Sequence, residues 1–173
     1  MSAAVVQAQA GTGASVTWAN AEGGMKFNLA DSITATTPIP VPTTTGTVFS
    51  YIHSSSIAVT ATGTTTINNR NIYMSGATAT GIKLWWKDVA VGSYVQAASG
   101  NRPASSGSNG ATPAGYTLMT TTAAQYDNTS VATSSAGPNG DMAVLAVGVD
   151  FLYVGGAGSA ITLPSINLQY DEF

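Results

Sequence analysis

The stretch Thr-Ala-Thr-Gly-Ile-Lys-Leu-Trp-Trp-Lys-Asp, residues 78–88, decides the fold class of this chain. Its apolar residues Ile82, Leu84 and Trp86 occupy every second position, and the positions between them carry two lysines and another tryptophan. Side chains two residues apart lie on the same face of a β-strand, so this alternation is typical of a strand rather than a helix. The stretch therefore predicts a β-strand with one apolar face.

The rest of the 173-residue chain follows the same pattern. Residues 48–62 are rich in β-branched residues, and residues 143–154 are almost wholly apolar, which is typical of a strand that is buried on both faces or split at Gly148. Turn sequences such as Gly-Pro-Asn-Gly at 137–140 separate the candidate strands, and residues that favour helices are scarce. The sequence therefore predicts an all-β fold, either an antiparallel β-sandwich or a jelly-roll-like barrel.

The domain organisation follows from the first residues. Residues 1–14 are small and featureless, and we expect them to form an extended N-terminal arm ahead of a single β domain at residues 15–173. Within that domain, residues 16–29 predict a β-hairpin around a Gly-containing loop. Residues 64–74 predict two short strands that are interrupted at residues 68–70.

Two segments between the strands have a composition of their own. Pro38, Pro40 and Pro42 stand at every second position, and proline has no backbone N–H to donate to a sheet. This run therefore predicts a polyproline-II or edge segment that crosses from one sheet to another. Residues 100–115 are dominated by Gly, Asn, Ser and Pro, and their length predicts a surface loop that reaches a neighbouring molecule.

The charge of the chain excludes two classes of partner. Charged residues make up 8% of the sequence, against about 25% in a typical soluble domain. The five Lys and Arg residues are scattered and the formal net charge is −3, so no basic stripe can neutralise nucleic-acid phosphates. A basic amphipathic helix and a long apolar span are also missing from the sequence. We expect neither a nucleic-acid nor a membrane partner.

The first ten residues lack the basic region and the long apolar core of a secretory signal peptide. We therefore expect a mature N-terminus and synthesis in a cytoplasm without export by the general route. The absence of cysteine excludes disulfides and thiolate metal sites.

Residues suited to catalysis are few. His53 is the single histidine, and the eight Asp and Glu residues are dispersed along the chain. No Gly-x-Ser-x-Gly nucleophile motif, phosphate-binding glycine motif or calcium-loop spacing occurs. We therefore expect a non-enzymatic protein with no catalytic residue, no cofactor and no metal, in which His53 is a partly exposed residue of a strand.

Trp85 and Trp86 are the most distinctive pair of side chains. Neighbouring residues of a strand point to opposite faces, so one interpretation places one indole in the core and the other on the outer face. An exposed indole beside Lys83 and Lys87 would suit a protein interface or a platform for sugar rings. The alternative is that both indoles are buried between two layers.

Several features together resemble those of tailed-bacteriophage virion structural proteins, in particular capsid decoration (cement) proteins. They are the small-residue segment 2–13, the run Pro38-Ile39-Pro40-Val41-Pro42, the Thr-rich tract at 43–66 and the cysteine-free β-pattern. The resemblance implies a non-enzymatic oligomer, a dimer or trimer, on the capsid exterior, where it clamps subunits of the major capsid protein. A weakly acidic chain fits an outer surface better than a DNA-facing one.

The interface residues expected on this interpretation are spread along the chain: Val5, Val6, Pro38, Pro40, Pro42, Trp85, Tyr116 and Phe173. One alternative is a tail, neck or fibre component of the virion, although no fibre-like repeat occurs. Another is a carbohydrate-binding or adhesion β-sandwich with Trp85 or Trp86 and Tyr94 as its stacking platform.

Overall fold

The computed structural model describes residues 6–14, 17–20, 26–32, 34, 37–59, 66–76, 80–89, 94–127, 131–132, 142–150 and 164–172. In this part of the chain the regular structure consists of eleven β-strands and a single 3-10 turn at Ser99–Asn101. The strands are β1 Val6–Thr12, β2 Thr17–Asn20, β3 Thr47–Phe49, β4 His53–Val59, β5 Thr66–Ser75, β6 Ile82–Val89, β7 Thr117–Leu118, β8 Ala124–Asp127, β9 Val131–Ala132, β10 Met142–Asp150 and β11 Ser165–Glu172.

The larger sheet has seven strands, six of them in the order β2-β1-β4-β10-β6-β7. Its centre is β10, which pairs with β6 from Met142 opposite Val89 to Val149 opposite Ile82. On its other edge β10 pairs first with β4 and then with β3, so these two strands share one edge. The apolar run predicted as a strand with two buried faces thus holds an interior position between partners on both sides.

The smaller sheet is built on β5, which pairs with β11 on one edge and with β8 and β9 on the other. The predicted interruption at residues 68–70 is wrong, because β5 runs through it. The pairing register of β5 shifts between Arg70 and Asn71, and Asn69 has a φ of +47°. Asparagine tolerates this left-handed conformation better than most residues, so the strand continues across a bulge.

One short segment connects the two sheets through hydrogen bonds. The Met119 N–H donates to the Leu84 carbonyl of β6 in the larger sheet, at 2.9 Å. The next residue, Thr120, accepts from the Met74 N–H of β5 in the smaller sheet, also at 2.9 Å. Met119 itself is buried. The chain therefore passes from one sheet to the other directly after β7, with its backbone polar groups satisfied on the way.

Every strand pairing in the described part of the chain is antiparallel. The all-β antiparallel fold expected from the sequence is thus confirmed. Both sheets are open in the described strands, since neither closes on itself. Two open sheets fit the sandwich alternative better than the barrel.

The core includes both tryptophans of β6. Trp85 is 3% exposed and Trp86 is 7% exposed, and Leu84 before them is fully buried. Because neighbouring strand residues point to opposite faces, both faces of β6 are covered at this point. Of the two alternatives, the one in which both indoles are buried is the one found, and Trp85, which was expected at an interface, is not available at the surface of this fold.

Residues 6–12 of the expected N-terminal arm are extended, but they belong to the larger sheet as β1. This strand pairs with β4 from Val6 opposite Val59 to Gly11 opposite Ser54, and with β2 on its other edge. Residues 6–12 therefore belong to the larger sheet and do not stand ahead of it as an arm. Backbone pairing on both edges holds the segment although its small side chains give little sign of a strand.

The predicted hairpin at residues 16–29 is also displaced. The hairpin of the structure joins β1 to β2, and residues 26–32 that follow are not a strand. There the Asn28 side chain accepts a hydrogen bond from the Ala30 N–H at 2.7 Å and donates to the Ser32 carbonyl at 3.3 Å. Asparagine side chains compete in this way with sheet hydrogen bonds, which turns the backbone away from an extended course.

Candidate functional site

The loop at residues 94–116 folds back onto β3 and is fixed there by its backbone. Thr47 and Ser106 exchange two backbone hydrogen bonds, of 2.9 and 3.0 Å. The Thr47 hydroxyl donates to the Ser108 carbonyl at 2.8 Å, and the Gly46 N–H donates to the Asn109 side chain at 2.9 Å. The expectation that residues 100–115 reach outward to a neighbour is thus wrong for this part of the loop.

Gly46 permits the close approach of the loop to β3. A Cβ atom at this position would lie 2.6 Å from the Ser106 carbonyl oxygen, which is well inside van der Waals contact. A larger residue would push the two backbones apart and break the pairing between Thr47 and Ser106.

The anchored loop and the larger sheet enclose a cleft of about 510 Å³. Its floor and sides are mainly apolar, and Ile52 is the buried residue against which Val89 and Tyr116 pack. Pro103 and Pro113 stand in the loop side of the cleft and restrict its backbone. A volume of this size is within the range of about 300–1,000 Å³ of ligand sites in proteins.

Two positive side chains line this cleft. Lys87 is an exposed residue near the end of β6, and Arg102 is a half-buried residue of the loop. The lining includes no Asp or Glu, and neither base has an ion-pair partner among the residues that the structure describes. The stem of Lys87 runs past Gly115, where an added Cβ would lie 3.6 Å from Nζ. The cleft is therefore positive although the chain as a whole is acidic.

Tyr116 closes one side of the cleft. Its backbone N–H donates to the Pro113 carbonyl at 3.0 Å, which holds the end of the loop in a tight turn. Burial raises the pKa of Tyr116 to about 12. The phenol therefore stays neutral at physiological pH and can donate a hydrogen bond into the cleft.

A second polar cluster surrounds His53 at the start of β4. The imidazole is fully buried, and the Phe27 ring packs edge-on against it at a centroid distance of 5.6 Å. Burial lowers the pKa of His53 to about 4, against smaller opposing effects of the Asn28 backbone and the Asp31 carboxylate. The expectation of a partly exposed histidine is wrong, because His53 is a neutral core residue with no access to a substrate.

Asp31 of this cluster serves the backbone. It accepts two hydrogen bonds from the Gly13 N–H, of 2.9 and 3.1 Å, and one of 2.8 Å from the Gln96 side chain. The carboxylate therefore ties the end of β1 to the beginning of the 94–116 loop. These hydrogen bonds give Asp31 a structural role in joining the two segments.

The structure distributes the expected interface residues over different surroundings. Pro38 and Pro40 are exposed and Pro42 is half-buried, so the proline run lies at the surface. Val6 begins β1, and Tyr116 lines the cleft. Of the remaining three, Trp85 is buried, while Val5 and Phe173 lie outside the described residues.

Sequence analysis missed that Lys87 and Arg102 meet at one cleft. The sequence placed Lys87 beside an indole that could be exposed, and it placed Arg102 in a polar loop, with no sign that the two residues are close together. The contacts that bring them together are backbone and hydroxyl hydrogen bonds between residues about sixty positions apart, such as Thr47 with Ser108. No pattern in the sequence marks such pairs.

In the described part of the chain, no three His, Cys, Asp or Glu residues are grouped as metal ligands. No helix in that part is long and apolar enough to cross a membrane.

No protein-family model, no curated protein and no solved structure matches the chain.

Proposed function

We propose that this protein is a non-enzymatic virion structural protein, a capsid decoration (cement) protein that binds the outer capsid surface and stabilises the lattice of the major capsid protein. The proposal includes assembly as a dimer or trimer and synthesis in the cytoplasm of the host. The observation that carries it is the uncharged segment 38–42, in which a charge-poor β-protein exposes Pro38, Pro40 and Val41 to solvent.

This segment is suited to docking on another protein. Before it, the Thr37 carbonyl accepts a hydrogen bond from the Leu29 N–H at 3.1 Å, and after it the chain enters β3. Between these fixed points Pro38 and Pro40 are exposed, and Val41 is 37% exposed. A proline-restricted segment loses little conformational entropy when it binds, so its apolar surface contributes efficiently to association.

Two more exposed large hydrophobic residues add to the surface that a partner can cover. Val95 and Leu118 are each 38% exposed, and Leu118 belongs to the two-residue edge strand β7. The edge of a sheet presents backbone groups that can pair with another chain. Both features support a role in assembly.

The sugar-binding alternative needs an exposed aromatic plane. Trp85 and Trp86, which were its main candidates, are 3% and 7% exposed. No observation on the described residues favours that function.

Co-sedimentation with empty capsids tests the proposal. The capsids are assembled from the major capsid protein encoded in the same genome, and light scattering gives the mass of the free protein. We expect a dimer or trimer that binds at a fixed ratio, and we expect Val41→Asp to weaken binding at least tenfold because it places a charge in a desolvated contact. Thr121→Asp changes an equally exposed residue elsewhere and is the control. A monomer that stays in the supernatant contradicts the proposal.

A further inference from the structure

The cleft beneath the 94–116 loop combines an apolar floor with two bases that have no ion-pair partner among the described residues, a combination that the decoration role does not use. We propose that it binds an acidic peptide segment, in which an apolar side chain enters the cleft and flanking carboxylates reach Lys87 and Arg102. This inference does not rest on the proposed function, although Val95 belongs to both surfaces.

The floor of the cleft fits an apolar side chain. Phe49 and Ile52 at its base are 1% and 4% exposed, so they are already ordered within the core. Val95 at its side is 38% exposed, so part of its apolar surface is still in contact with water. A side chain the size of phenylalanine would cover Val95 without opening the core, and the gain comes from apolar surface removed from water.

The positive charges of the cleft favour a negatively charged ligand. The chain has only five Lys and Arg residues, and two of them line this one cleft, whose described lining contains no Asp or Glu. Carboxylates would supply the missing partners, and the guanidinium of Arg102 can hold one through two parallel hydrogen bonds. The neutral hydroxyl of Tyr116 provides a further donor.

The shape of the cleft favours a peptide over a small molecule. The loop side is fixed before any ligand arrives, by the bonds of Thr47 to Ser106 and Ser108 and by two prolines in the lining. Binding therefore requires little reordering of the protein. The cleft is also partly open to solvent, which lets a chain enter and leave, whereas small-molecule sites usually enclose most of their ligand.

Fluorescence anisotropy with the full chain tests the proposal. The probe is a fluorescein-labelled peptide of sequence Gly-Asp-Phe-Glu-Gly, and its matched control is Gly-Asn-Phe-Gln-Gly, which has the same shape without the charges. We expect the acidic peptide to bind at least tenfold more tightly than the amide peptide, and added salt to weaken its binding. Backbone amide shifts measured by NMR should move at Tyr116 and around Arg102.

Variants locate the binding site. Lys87→Ala and Arg102→Ala should each weaken binding of the acidic peptide by about threefold to tenfold, because each removes one charge-assisted contact. Lys83→Ala is the matched control, since Lys83 lies on the same strand and the same face as Lys87 but outside the cleft lining. It should change binding by less than about twofold.

Three results would overturn the proposal. The first is no binding of the acidic peptide at about 1 mM, the weak end of measurable affinity. The second is a loss of binding with Lys83→Ala as large as with Lys87→Ala. The third is equally tight binding of N-acetylphenylalanine, which would make the cleft a site for small anions instead of peptides. None of these experiments involves a capsid, so their failure leaves the decoration role unaffected.

Discussion

Strand β6 and the loop at residues 94–116 form two sides of the same cleft, but different interactions hold them in place. In β6, three consecutive residues from Leu84 to Trp86 are buried, and their apolar surface fixes the strand. In the loop only Ala97 and Pro113 are buried, and hydrogen bonds to the residues before and within β3 hold the rest. The comparison shows that buried apolar side chains hold the strand side of this cleft in place, whereas a few hydrogen bonds hold the loop side.

The largest loss of stability is expected from truncating a buried side chain of strand β6. Trp85→Ala should lower the free energy of unfolding by about 3–5 kcal/mol, because it removes a large buried side chain and leaves a cavity. Urea unfolding measures the change. Lys83→Ala on the same strand, whose side chain is only half-buried, should stay within about 0.5 kcal/mol of the wild type. Equal losses in the two variants would mean that the indole of Trp85 is not part of the core.

A second test measures how the stability of the protein depends on pH through the buried His53 of strand β4. His53 has its ordinary pKa of 6.5 in the unfolded chain and a pKa of about 4 in the folded protein. Between these values the unfolded chain binds a proton that the folded protein does not, so stability is complete above pH 6.5 and falls as the pH drops towards 4. The loss should reach about 3 kcal/mol at pH 4.

The matched variant for this test is His53→Gln, which removes the single histidine. Unfolding free energies of both proteins at a series of pH values isolate the histidine from the carboxylates, which titrate in both. The wild type should lose more stability than the variant between pH 6.5 and 4. Parallel curves would show that His53 is not buried as a neutral group.

The smallest loss of stability is expected from removing one hydrogen bond that holds the 94–116 loop on β3. Thr47→Val removes the hydroxyl that donates to the Ser108 carbonyl and should cost about 1–2 kcal/mol. Its more specific consequence is faster proteolysis within residues 100–115, because local opening of the loop becomes easier. Thr44→Val at an exposed position is the control. Unchanged cleavage in Thr47→Val would mean that this side chain does not hold the loop.

The same comparison explains which parts of the fold were predictable. Strands β6 and β10 follow from patterns of apolar residues, because alternation and long apolar runs are direct consequences of burial. Strand β1 was not recognised, since Val6–Thr12 contains mostly small and amide side chains that carry no such pattern. Asn28 broke the second half of the predicted hairpin through bonds of its side chain, which a period-based prediction does not include.

The candidate site was predictable only in part. Tyr116 was expected at an interface and does line the cleft, and the proline run does lie at the surface. Trp85 was expected outside because alternation alone assigns it to the opposite face from Trp86. Burial of both faces depends on what covers the sheet from distant parts of the chain, and a single strand sequence does not contain that information.

Electron cryomicroscopy of empty capsids mixed with the purified protein tests the central claim most directly. The decoration role predicts extra density on the outer shell at points of local symmetry, in dimers or trimers, with the segment 38–42 against the major capsid protein. Bare shells at saturating protein, or density confined to a tail or to the inner surface, would contradict it.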